Sequence, residues 1–182
     1  MTTDEALVRA LRDGDDHALA TLYERHRHAL YAYSARMLGR AEEARDVVQD
    51  VFADLHARRA TLPVLRSVQA WLFTIARHRC LNALRAQRDH ARLAPRPADV
   101  AHADASAPVL AGEEVALVRR ALAALPDDLR EALVLREYLD LPYAEIAAIT
   151  ECSESAVKSR LFRARQQLFE RLHPVLHEGE AS

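Results

Sequence analysis

The sequence is poor in glycine and in β-branched runs. Four glycines are scattered over 182 residues, and Ala, Leu and Arg recur throughout. That composition points to an all-α fold. There is no run of about 18 apolar residues, and hence no expected transmembrane helix. The N-terminal MTTDEALVRALRDGD is acidic and amphipathic and lacks a secretory apolar core. Cysteine is scarce as well. Cys80 and Cys152 lie far apart and match no zinc or redox spacing, which predicts two free thiols in a reducing cytoplasm. Signatures of chemistry are missing too: no Gly-rich phosphate loop, no nucleophile elbow, no convergent carboxylate pair. Nine histidines invite a metal reading. His26 and His28, two apart, diverge on a helix. His173 and His177 could share a face, but Pro174 and Glu178 beside them favour a frayed tail. The expectation is a protein with no catalytic residues, no cofactor and no metal.

Charge, by contrast, is abundant and segregated. The formal net charge is only −2. Residues 1–55 hold seven arginines against eleven carboxylates, a net of −4. Residues 66–96 hold seven arginines against one aspartate, a net of +6, and residues 155–171 five cations against one glutamate, a net of +4. An acidic front with two basic islands implies two kinds of partner, one of them polyanionic.

The segment 86–112, AQRDHARLAPRPADVAHADASAPVLAG, carries three prolines and no 3.6-residue apolar stripe, and reads as a flexible linker. Two small helical domains therefore flank it. Helices are expected over 4–13, 15–38, 41–59 and 67–87, then over 113–124, 127–138, 142–149 and 154–172. Gly14 and Gly39 mark joints in the first set. Pro126 and Pro142 sit where the first turn of a helix tolerates proline.

In ESAVKSRLFRARQQLF, residues 154–169, Val157, Leu161, Ala164 and Leu168 fall within about 60° of one another on a helix and should be buried. Ser155, Lys158, Ser159, Phe162, Arg163 and Gln166 face outward. Cations, small hydroxyls, an amide and a stranded aromatic are groups that contact phosphates and base edges. With YAEIAAIT before it and the short ECS turn between, the stretch makes a helix-turn-helix with Ser153 as N-cap. Glu151 stands in the turn where a left-handed glycine would be easy, so the turn is either of another kind or modestly strained. The alternative is a solvated basic face.

Two further helices show sided patterns. In RDVVQDVFADLHAR, Val48, Val51, Phe52 and Leu55 should be buried, with Asp46, Gln49, Asp50 and Asp54 opposite. In 67–87, Ser67 is the expected N-cap, and Leu72, Ile75, Ala76 and Ala83 share a face. Arg79 falls awkwardly among them and should snorkel or pair with an acid of the neighbouring helix. Thr74, His78, Leu81 and Arg85 run along the other side, flanked by Arg77 and Asn82.

LPDDLREALVLREYLDLPYAEIAAITECSESAVKSRLFRARQQL resembles region 4 of an extracytoplasmic-function sigma factor of bacterial RNA polymerase, and ARDVVQDVFADLHARR with AWLFTIARHRCLNALR resembles its region 2. The two blocks stand in the family's order with a short linker between. The resemblance implies residues 1–88 as region 2, 89–112 as linker, 113–175 as region 4 and 176–182 as a tail. It implies that Asp46, Gln49, Asp50 and Asp54 dock on core RNA polymerase. Trp71, Arg77, His78, Asn82 and Arg85, with the preceding loop LPVLRSVQA, would capture the −10 strand of promoter DNA. Trp71 would stack or wedge there, or else anchor the helix in the core. His78 stands where relatives often have Asn, which alters the donor pattern offered to a −10 base. Ser155, Lys158, Ser159, Phe162 and Arg163 would read the −35 duplex, with Arg160 and Arg165 on phosphates. An anti-sigma factor is the implied regulator. The rival reading is a helix-turn-helix regulator that binds duplex DNA alone and senses a ligand or protein through its N-terminal half.

Overall fold

The computed structural model describes residues 2–62, 65, 67–93 and 112–178, and among these every regular element is helical. Helices α1 (Asp4–Arg12), α2 (Asp16–Leu38), α3 (Ala41–Ala57) and α4 (Val68–Leu93) form the first unit. A short 3₁₀ turn, Arg59–Thr61, follows α3. The second unit comprises α5 (Glu113–Ala123), α6 (Asp127–Leu133), α7 (Tyr143–Ile149) and α8 (Glu154–Glu178). One wide π turn, Val134–Tyr138, extends α6.

Local chemistry starts and stops these helices where expected. Thr3 Oγ1 accepts from the Ala6 N–H and Asp15 Oδ1 from the His17 N–H, capping α1 and α2. Gly39 ends α2 at φ 73°, with its N–H returning to the Ala35 carbonyl. Ser67 Oγ accepts from the Ala70 N–H at 3.0 Å and Ser153 Oγ from the Ala156 N–H at 3.2 Å, so both serine caps form as read from the sequence.

The buried faces follow the apolar periods. In α3, Val48, Val51, Phe52 and Leu55 are buried, as are Val157, Leu161 and Ala164 in α8, where Leu168 is partly covered. In α4, Leu72 and Ala76 are buried as expected, and Phe73 and Cys80 join them with no exposed area at all. The reason is that α4 is covered on two sides, by α2 and α3 and by α7 of the second unit. A one-sided stripe underestimates such a helix. The basic stretch is also more helical than expected. Residues 88–93, part of the linker-like segment, continue α4 because Arg, Ala and Leu favour helix without any apolar stripe. The rest of the expected linker, 94–111, lies outside the described residues. At the other end α8 runs on to Glu178.

The two units share one continuous apolar core. The contacts between them are also polar, and most use carboxylates of the second unit. Tyr33 Oη donates to Glu131 Oε1 at 2.8 Å, and Arg77 Nε donates to the same carboxylate at 3.1–3.2 Å. Ser67 Oγ donates to Glu145 at 3.3 Å, and Arg88 pairs with Asp127 at 2.6 Å. His78 Nε2 lies 3.8 Å from Glu151. The Arg36 guanidinium stacks 3.8 Å from the Tyr138 ring centroid.

Candidate nucleic-acid interface

The α7–α8 pair is a helix-turn-helix. Helix α7 stops at Thr150, whose Oγ1 donates back to the Ile146 carbonyl at 2.7 Å. Glu151 then takes φ 54°, and the Cys152 N–H reaches the Ala147 carbonyl at 3.0 Å. That is a Schellman closure, built here without its usual glycine. A non-glycine residue in this region carries strain of about 1–2 kcal/mol. The turn fixes the angle at which α8 leaves, and Val157, Leu161 and Ala164 lock it onto the core.

What α8 leaves outside is the face read from the sequence. Ser155, Lys158, Ser159, Arg163 and Gln166 are exposed, and Phe162 has 69% of its surface in water. An aromatic that exposed among cations has no packing role in the fold. Arg163 makes no hydrogen bond or ion pair with any described residue. Lys158, the only lysine of the chain, stands 5.9 Å over the Tyr143 ring. The two flanking arginines are held within the unit. Arg160 pairs with Asp128 at 3.5 Å and donates to Cys152 Sγ at 3.5 Å. Arg165 pairs with Glu137 at 2.6 Å, a bond that pushes its guanidinium further toward the charged form. Both guanidinium groups are therefore held in place by neighbours of their own unit.

The second basic surface lies on α4. Trp71 is half-buried and packed on the core, so its anchoring role is realised, with part of the ring still open. His78, Asn82 and Arg85 continue its line in solvent, and Arg85 Nη1 donates to Asn82 Oδ1 at 3.2 Å. Arg77 points to the flank, toward α6, and is occupied by Glu131. Of the loop before α4, Pro63, Val64 and Arg66 lie outside the described residues.

On α3, Asp46 and Gln49 are exposed with no described partner. Asp50 and Asp54 converge on Arg79, the latter at 2.8 Å. Arg79 thus pairs across helices as the sequence suggested, and the acidic face is less negative than its three aspartates imply.

The cysteines differ. Cys80 is buried, and burial pushes its thiol up to about 12, which leaves no reactive thiolate at neutral pH. Cys152 is partly exposed and accepts from Arg160. No cluster of three His, Cys, Asp or Glu able to hold a metal occurs among the described residues, and none of their helices is long and apolar enough to cross a membrane.

Sequence reading did not identify Tyr33, Asp127, Glu131 or Glu145 as interface residues. Their partners lie 98, 39, 54 and 78 positions away for Tyr33–Glu131, Arg88–Asp127, Arg77–Glu131 and Ser67–Glu145, and no local pattern encodes such pairs.

Comparison with known proteins agrees with this layout. Residues 22–90 match the model of Sigma-70 region 2, and residues 116–168 match that of Sigma-70 region 4. The chain is 30% identical to the RNA polymerase sigma-H factor of Pseudomonas aeruginosa over 97% of both chains. It is 31% identical to the ECF RNA polymerase sigma-E factor of Escherichia coli over 96% of both. Among solved structures it resembles CnrH in complex with the cytosolic domain of CnrY, with TM-score 0.72, 28% identity and coverage of 94% of this chain and 97% of that one. It also resembles the Bartonella quintana sigma factor RpoE in complex with the anti-sigma factor NepR, with TM-score 0.65, 26% identity and coverage of 85% and 96%.

Proposed function

The chain belongs to the sigma-70 family, among its extracytoplasmic-function factors, and on that premise we propose that three faces divide its work. As a sigma factor it directs core RNA polymerase to promoters with −35 and −10 elements and performs no bond chemistry. The exposed end of the acidic face, Asp46 and Gln49 with half-open Asp50 and Asp54, docks on the polymerase. Charge there steers the encounter and sets its register more than it supplies affinity.

The outer face of α8 reads the −35 duplex. Lys158, Ser159, Phe162 and Arg163 contact base edges, with Ser155 beside them, while Arg160 and Arg165 hold phosphates. The α4 line of Trp71, His78, Asn82 and Arg85, with Arg77 at its flank, captures the melted −10 strand through stacking, polar base edges and backbone cations. Residues 1–88 and 113–175 are the two working domains, with 89–112 joining them and 176–182 as a tail. Each DNA contact is small. Once polymerase fixes their separation, the second contact forms at high effective concentration. The two solved relatives were captured with CnrY and with the anti-sigma factor NepR, which supports control of this chain by an anti-sigma partner as well.

The observation that carries the reading is the exposed aromatic and cationic face of α8, held by a strained turn and a packed inner stripe. Photo-crosslinking in the reconstituted holoenzyme tests it. A reactive base in the −35 duplex should crosslink within 155–165, and one in the −10 non-template strand within 71–85. A −35 crosslink without polymerase, together with no −10 crosslink in its presence, would favour the simple duplex-binding regulator.

A further inference from the structure

Two arginines share one carboxylate where the end of α4 meets the second unit. Asp127 holds Arg88 of α4 through Oδ2 and Arg130 of α6 through Oδ1, each at 2.6 Å. Beside this trio opens a cleft of about 480 Å³, bounded by α4, the turn between α5 and α6, and α8. That volume lies in the range of small-molecule sites, roughly 300–1,000 Å³. Leu84, Leu125 and Pro126 form its apolar part. From α8, Gln167 and Arg171 border it one turn apart, and neither makes a hydrogen bond or ion pair with a described residue.

Charge in the cleft does not balance. Among the described residues that line it, three guanidinium groups stand against the single carboxylate of Asp127, whose two oxygens are both committed. Arg130 is only 6% exposed. Its Nη2 donates to Asp127 and its Nη1 to the Ala123 carbonyl at 3.4 Å, while its buried Nε has no partner. A buried cation needs a full set of acceptors and a counter-charge of its own. Arg130 has neither. Burial, with Arg88 close by, draws its guanidinium below the ordinary value against the pull of Asp127. An anion in the cleft would supply the missing counter-charge. Arg88, Arg130, Gln167 and Arg171 all stand outside the faces assigned above to DNA and polymerase.

We propose that the cleft is a binding site for a small molecule carrying a di- or triphosphate group. Guanidinium forks match phosphoryl oxygens two at a time, which a lone carboxylate ligand would not exploit on several sides at once. Arg88 and Arg171 take the phosphoryl oxygens from opposite walls, Gln167 donates beside them, and Arg130 stands behind as a fixed positive charge. A single phosphate would leave most of the volume empty, whereas a chain of two or three can meet both walls. The bound molecule touches α4 of the first unit and α8 of the second.

Titration calorimetry on the full chain at physiological salt tests this, with inorganic pyrophosphate, inorganic triphosphate and ADP as separate probes. Saturable one-to-one binding of at least one probe is expected. Tighter binding of ADP than of pyrophosphate marks a nucleotide as the ligand, and equal or weaker binding marks an inorganic chain; both uphold the site. Arg171→Ala removes an exposed side chain without a partner and should weaken binding about tenfold. Asp127→Asn removes the competing charge at equal volume and should tighten it about threefold or more. Arg45→Ala, at an exposed position of α3 away from the cleft, should change nothing. No saturable binding of any probe at millimolar concentration would overturn the proposal. So would an equal loss from Arg45→Ala and Arg171→Ala, which means diffuse attraction, or binding that Arg171→Ala leaves unchanged. If circular dichroism shows that Asp127→Asn loses helicity, the two arginine variants decide.

Discussion

Replacing Glu151 by glycine should stabilise the protein. Glu151 sits at φ 54° in the turn between α7 and α8, a region that costs an L residue about 1–2 kcal/mol. Glycine relieves that strain but loses about 0.5–1 kcal/mol through the greater freedom of the unfolded chain. The side chain itself offers little, because its 3.8 Å contact with His78 joins two half-exposed groups. Such a pair is worth roughly a few tenths of a kcal/mol after solvent screening. At the middle of these ranges the net is a gain of roughly 0.5 kcal/mol. For a chain of this size 1 kcal/mol moves the melting midpoint by about 2–4 °C, so the variant should melt ~1–2 °C higher. Thermal unfolding followed by circular dichroism, with matched scans of both proteins, measures it. An equal or lower midpoint would refute the claim that the turn is strained, and with it the reason given for the exit angle of α8.

Other perturbations probe the remaining surfaces. Arg163→Ala should lose about 1–3 kcal/mol of discrimination at one −35 base pair, read as relaxed preference in a randomised promoter pool, and unchanged preference would remove it from the reading face. Asp46→Lys should slow association with core polymerase and flatten its salt dependence while leaving helicity intact, measured by surface plasmon resonance, and identical kinetics would reject the docking face. Because the Glu131 carboxyl is raised in the fold, the folded chain binds that proton more tightly than the unfolded one. Its charge burial therefore weighs on stability as pH rises from the ordinary glutamate range through the folded value. Relative to Glu131→Gln, the wild type should gain stability as pH falls through that window, as denaturant midpoints at several pH values would reveal. With iodoacetamide at neutral pH, mass spectrometry should find Cys152 alkylated and Cys80 untouched; modification of Cys80 without unfolding would contradict its burial.

Much of this molecule was legible from local pattern. Ser67 and Ser153 cap the helices they precede, and the α8 stripe of Val157, Leu161 and Ala164 is buried, while the geometry of the Glu151 turn, open in the sequence, proves left-handed. Arg79 finds its acids on α3 because a lone cation on an apolar face has few other options. What escaped was encoded at long range. Phe73 and Cys80 are buried because α4 is covered by both units, which a single amphipathic stripe cannot express. Arg77 reads as a DNA contact in sequence, yet in the fold it is held by Glu131, 54 residues away. The π turn at Val134–Tyr138 leaves no mark in composition, and the last residues of α4 continue the helix without an apolar stripe.

The most direct measurement is in vitro transcription from a pool of promoter fragments, using purified core RNA polymerase with and without this chain. Discrete start sites that appear only in its presence, downstream of shared −35 and −10 sequences, are the expected result. No start sites with the chain present, while the chain alone shifts duplex DNA, would contradict its role as an initiation factor.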